Sequence, residues 1–220
     1  MCLKKGLLII KVLVLVNVLF SFSQSKDVFM QNACVKVVNN DEEALDSIVL
    51  WDSSKKLTWD DFLGKPDVIR FKNLKAVSSI GFYDIKNRVR GDSIEVFLYC
   101  YFNRYESWKT IKEKELLNHE QKHFDLAEVV VRRLRKKVSN YSFINERSFW
   151  YWYNNVALEE YDREVNYYYD LYDRETNHGV NKASQEDWNQ KINKMLEELE
   201  EFSSPRVVIR KRGNSRDKSE

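Results

Sequence analysis

Along the first half of the chain, apolar and polar residues take turns. Val96, Leu98, Cys100 and Phe102 occupy every second position of Ser93–Phe102, the period of a strand with one buried face. Lys75–Ile85 reads as a second strand, and the polar link Lys86–Asp92, containing Gly91, suits a long hairpin connection. A short apolar patch at Cys34–Val38 predicts a leading strand. Leu57–Phe62 reads as an extended segment entering a turn at Gly64-Lys65-Pro66.

The period then changes. Thr110 to Val138 has no glycine or proline, and Leu116, Leu117, Leu126, Ala127, Val130, Val131, Leu134 and Val138 recur at three-to-four spacing, which predicts a long helix. A second helix is expected from Ser148 to about Tyr172, broken at Gly179. A third is expected from Ser184 to Phe202, with Ser184 as its cap and Asp187 in the capping-box position. The expected class is α+β, a small N-terminal antiparallel or mixed sheet followed by long helices. Arg132, Arg133, Arg135, Lys136 and Lys137 crowd the end of the first helix, where they read as a solvated, dipole-matched terminus. The segment 203–220 is polar and basic and is expected to be disordered.

The amino terminus carries an address. Lys4 and Lys5 precede a largely apolar run from Leu7 to Phe22, followed by small and polar residues. That layout predicts a secretory signal peptide over residues 1–23, too short and too interrupted, by Lys11 and Asn17, for a stable membrane span. Residues 24–202 are then the expected domain, exported to the periplasm or the exterior. Without both ends, 27 basic and 32 acidic residues remain, a net charge near −5 that argues against nucleic acid as the main partner. Six glycines at scattered positions build no phosphate loop and no Gly-x-Ser-x-Gly elbow. Cys34 and Cys100 fit no metal spacing, and Cys100 reads as a buried core thiol rather than half of a disulfide.

Chemistry concentrates in His119-Glu120-Gln121-Lys122-His123, inside the first long helix. At about 100° per residue the two histidines lie about 40° apart on one face, and Glu120 about 60° from His123. Two imidazoles so placed can share a Zn²⁺, with Glu120 beside it as general base toward an activated water. A catalytic zinc takes a third protein ligand. Asp125 and Glu128 turn away on the helical wheel, so that ligand must come from another element. His178 is favoured, being imidazole beside the permissive Gly179, with Glu175, Asp173, Glu164 and Glu160 as competing carboxylates. Asp125 or Asp173 is alternatively expected to orient an imidazole through its other nitrogen. Among twelve tyrosines, Tyr172 stands near the motif as a donor to a developing oxyanion.

Leu57-Thr58-Trp59-Asp60-Asp61-Phe62-Leu63-Gly64, the pair Ser107-Trp108, Leu116 to Glu128 around the two histidines, and Tyr172 to Gly179 together resemble a bacterial domain family described as predicted secreted zinc-dependent proteases. The resemblance spans Leu57 to Gly179. It implies a zincin-like fold with an active-site helix beside a small sheet. It also implies zinc on His119 and His123, Glu120 as general base, and the His178 segment within the site. The expected function is an exported zinc metallopeptidase acting on a peptide or protein laid along an edge strand, with Ser93–Phe102 favoured. Alternatives are a non-catalytic cell-envelope module binding metal or protein, and zinc-dependent hydrolysis of a non-peptide amide. The pattern sets no oligomeric state.

Overall fold

Ile94, Val96, Leu98, Cys100 and Phe102 are buried on one face of a single strand, and the other described elements are arranged around them. In the computed structural model, residues 46–86 and 91–212 are described. The expected signal peptide, the Cys34–Val38 strand, the middle of the hairpin link and the last residues of the chain lie outside the described residues.

The strands are β1 (Ile48–Leu50), β2 (Ala76–Lys86), β3 (Ser93–Lys109) and β4 (Arg206–Arg210). The helices are α1 (Lys114–Ser139), α2 (Glu146–Trp152), α3 (Leu158–Thr176) and α4 (Lys182–Glu198), with a wide π turn over Tyr153–Ala157 joining α2 to α3. All strand pairs are antiparallel, and the class is α+β. β3 is the centre. β2 pairs along one side of it, while β1, at Tyr101–Asn103, and β4, at Ser93–Phe97, share the other.

Beneath β3 runs α1, whose residues Phe124, Ala127, Val130, Val131, Leu134 and Val138 complete the main core with Phe62, Phe82, Phe149 and Tyr153. A different face of α1, Leu126 and Val129, packs with Tyr172 of α3 and Trp188 and Ile192 of α4 in a second cluster. A helix covered on several sides buries apolar residues on more than one face, and each fully buried aliphatic contributes roughly 1.5–3 kcal/mol. This centrally packed helix carries the histidine pair.

Several expectations are corrected. Trp59–Asp61 forms a single 3-10 turn, because the Asp61 carboxylate accepts from both the backbone N–H and the hydroxyl of Thr58. The cap of α4 is Asn181, which accepts from the N–H of Ser184, so the helix begins before Ser184. The segment after Ser203 supplies β4. Its alternate residues Val207 and Ile209 are buried against β3, so the domain extends past residue 202. Arg132 and Arg135 are not solvated. Both are buried around Glu128, with Arg135 also donating to the carbonyls of Leu98, Phe202 and Ser203. A buried carboxylate with two guanidinium partners and further carbonyl acceptors leaves little charge unpaired. Among the described residues Cys100 is a buried free thiol, as its place in the alternation predicts, and Cys34 lies outside them. No helix among the described residues is long and apolar enough to cross a membrane.

Candidate metal centre

His119 and His123 lie one turn apart on α1, their Nε2 atoms 3.2 Å from each other. The residue facing them is Asp173, on the last turn of α3. Its Oδ1 is 3.1 Å from His119 Nε2 and 2.9 Å from His123 Nε2. The three ligand atoms form a group that could hold a metal ion. Burial works against ionising Asp173, but imidazole N–H groups of His119 and His123, where they donate to Oδ1, outweigh it and hold the carboxyl well below the usual range.

The protonation of His119 follows from its neighbours. Tyr172 stacks on its ring at 4.7 Å and donates its hydroxyl to the His119 carbonyl. The side-chain NH₂ of Gln185 donates to Tyr172 Oη at 2.7 Å and to Asn189 Oδ1 at 2.9 Å. Gln185 Oε1 is therefore left as an acceptor, 3.0 Å from His119 Nδ1. An amide assigned from its partners in this way puts the proton of a neutral imidazole on Nδ1 and a lone pair on Nε2. That lone pair points toward an anionic carboxylate oxygen. Such a set of donors could hold a metal ion between its members.

Glu120 is buried, and its Oε2 accepts from the Ser78 hydroxyl of β2 at 2.5 Å. Ligands and carboxylate open onto a cavity of about 800 Å³, walled by Phe71–Ser78 on one side and by α1, Tyr169, Asp173 and the Asn177–Val180 turn on the other. That volume falls in the ordinary range for ligand sites, roughly 300–1,000 Å³. The Tyr169 ring meets the edge of His123 at 5.0 Å. Its hydroxyl is buried without a hydrogen-bond partner among the described residues, and burial pushes it well up.

His178, expected as the third ligand, lines the same cavity but stands outside the ligand group. Its Nδ1 is 3.4 Å from Asp173 Oδ1, and 53% of its side chain is exposed. The chain leaves α3 through three left-handed residues, Asn177, His178 and Gly179, which carry His178 past the helix end to the cavity mouth. Gly179 is needed twice over. Its φ is +80°, and a Cβ there would sit 3.0 Å from Cβ of His119. Asp173, still on the helix, faces α1 directly.

The other candidates are engaged elsewhere. α3 runs antiparallel to α1, so Glu164 meets Arg133 and Glu160 meets Lys137. Those partners lie ten or more residues, about 15 Å or more, along α1 from His123. Glu175 accepts from Trp188 Nε1 at 2.8 Å. Asp125 is buried on the opposite side of α1, accepting from Trp51, Gln121 and Lys122, and orients neither imidazole. Tyr172, the expected oxyanion donor, is fully buried with its hydroxyl spent on His119 and Gln185. Two members of the site were missed. Gln185 sits on α4, beyond the recognisable motifs. Ser78 had a faint signal, as a polar residue in the row Ala76, Ile80, Phe82 that β2 turns toward α1. Set against protein-family models, curated proteins and solved structures, the chain matches none.

Proposed function

We propose that this chain is an exported zinc metallopeptidase with a zincin-like arrangement, hydrolysing peptide bonds with Glu120 as general base. One observation carries the reading. Two imidazole nitrogens and a carboxylate oxygen form a triangle with edges of 3.2, 3.1 and 2.9 Å beside a buried glutamate in an open cavity. Zinc with tetrahedral bonds of about 2.0–2.1 Å sets its ligand atoms roughly 3.3 Å apart, close to these edges. Two nitrogens and one oxygen, with the fourth direction left to the cavity, are also the donor types of catalytic rather than structural zinc. The resemblance of the motifs to predicted secreted zinc proteases points the same way, as does the signal-like leader.

Bound there, the ion would polarise a substrate carbonyl and bring the pKa of water toward about 7. Glu120 lies beside both histidines and takes the proton from the attacking water, later returning it to the departing amine. His178, at the cavity mouth, donates to the carbonyl oxygen as charge develops on it. The substrate strand lies along β2, not along Ser93–Phe102. β3 is paired on both sides, whereas β2 has one unpaired edge among the described strands and its residues Ala76–Ser78 wall the cavity.

The test is cleavage of a fluorogenic peptide library by the purified protein, with zinc and after chelation. Zinc-dependent turnover that vanishes in Glu120→Gln, with zinc still bound, is expected. Stoichiometric zinc with no peptide cleaved would sink the peptidase and leave the metal-binding module.

A further inference from the structure

We infer that Ser78, which stands opposite the irregularity of the β2–β3 ladder, is a positioning residue for Glu120. The inference rests on the reading of Glu120 as general base.

Val77 pairs with Trp108 and Ser79 with Asn103, so Ser78 alone stands opposite four residues of β3, Arg104–Ser107. A regular ladder would pair one against one. Here β3 carries the extra residues, an irregularity opposite Ser78. Bulges of this kind re-aim a side chain beside a site.

Other parts of the chain hold the excursion in place. Asn103 Oδ1 accepts from the N–H groups of Tyr105 and Glu106. The N–H of Leu63 donates to the Arg104 carbonyl, and that of Gly64 to the Ser107 carbonyl, both at 2.8 Å. Gly64 packs so tightly that a Cβ would meet the carbonyl oxygens of Tyr105 and Ser107 at 2.8 Å. Ser107 Oγ in turn accepts from the N–H of Ser79. Thus the segment ending in Leu63-Gly64 and the pair Ser107-Trp108, distant in sequence from the histidines, build one clamp.

The clamp leads to the site through one side chain. β2 keeps its two-residue alternation, so Ser78 shares the face of Ile80 and Phe82, which packs on α1. At that level of α1 stands Glu120. The Ser78 hydroxyl donates to Glu120 Oε2 at 2.5 Å, a short charge-assisted contact. A glutamate with three side-chain torsions has several ways to miss the attacking water. One fixed donor on a strand selects among the rotamers of that carboxylate, which lines the cavity.

The experiment takes the zinc-loaded protein as wild type, Ser78→Ala, Ser78→Cys and Ser78→Thr, assays each on the peptide library, and crystallises wild type and Ser78→Ala. Zinc stoichiometry and KM are expected to stay level while kcat falls about 10–100-fold in Ser78→Ala. Ser78→Cys should fall in the same direction, and Ser78→Thr, which keeps the hydroxyl, should recover most of the rate. The Glu120 carboxylate should shift only where the hydroxyl is gone. Wild-type kcat in Ser78→Ala with an unmoved carboxylate overturns the inference. If wild type cuts no peptide but Glu120 shifts in the Ser78→Ala crystals, the peptidase reading falls and the positioning stands.

Discussion

Gln185 Oε1 lies 3.0 Å from Nδ1 of His119 and so decides which nitrogen of that ring faces Asp173. A residue of α4 thereby governs a histidine on α1. His119 is held from three directions, by Gln185 through its ring nitrogen, by Tyr172 against its ring face, and by the backbone of Gly179 against its Cβ.

Removing that acceptor should loosen the metal without unfolding the protein. Gln185→Leu is expected to weaken zinc binding by about 10–100-fold, the usual effect of losing an orienting partner. Competition with a chromogenic chelator measures it. Unchanged affinity would mean that the stack on Tyr172 suffices.

The third ligand can be assigned by a pair of variants. Asp173→Ala should abolish stoichiometric zinc, since it removes the oxygen about 3 Å from both imidazoles. His178→Ala should retain zinc and lose turnover, because His178 stands outside the ligand group. Metal analysis of the purified variants checks both, and zinc loss in His178→Ala would reverse the assignment.

Alkaline conditions should expose Cys100. Burial, assisted by the Glu128 carboxylate, pushes its thiol well above the ordinary range. In the unfolded chain the thiol ionises near pH 8.5, at roughly its reference value. Above that pH the unfolded state holds fewer protons than the folded one, so the contribution to stability falls as pH rises. Denaturation midpoints of wild type relative to Cys100→Ala should therefore be level below about pH 8 and decline above it. Alkylation of Cys100 should track global unfolding.

The end of the chain should prove structural. Truncation after Phe202 removes β4 and with it the buried Val207 and Ile209, and takes the Ser203 carbonyl from Arg135. Two aliphatics at roughly 1.5–3 kcal/mol each amount to a loss of about 3–6 kcal/mol. Urea denaturation of the truncated protein measures it, and an unchanged midpoint would return the segment to the status of a tail.

From sequence alone came the α+β class, the strand around Ser93–Phe102, the long helix and the pair His119–His123 with Glu120 between. Each depends on periodicity, and periodicity is imposed by backbone geometry within a few residues. Tertiary structure decided the rest. Glu160, Glu164, Asp173 and Glu175 are chemically alike and share one helix, and the antiparallel register of α3 on α1 brings only Asp173 to the imidazoles. Arg132 and Arg135 look like surface cations until Glu128 and the end of α4 close over them. Ser78 and Gln185 are ordinary polar residues whose roles arise where a bulged ladder and a fourth helix meet α1. Such meetings join positions far apart in the chain, and the energy that fixes them is the burial of shared apolar surface, which no local pattern records.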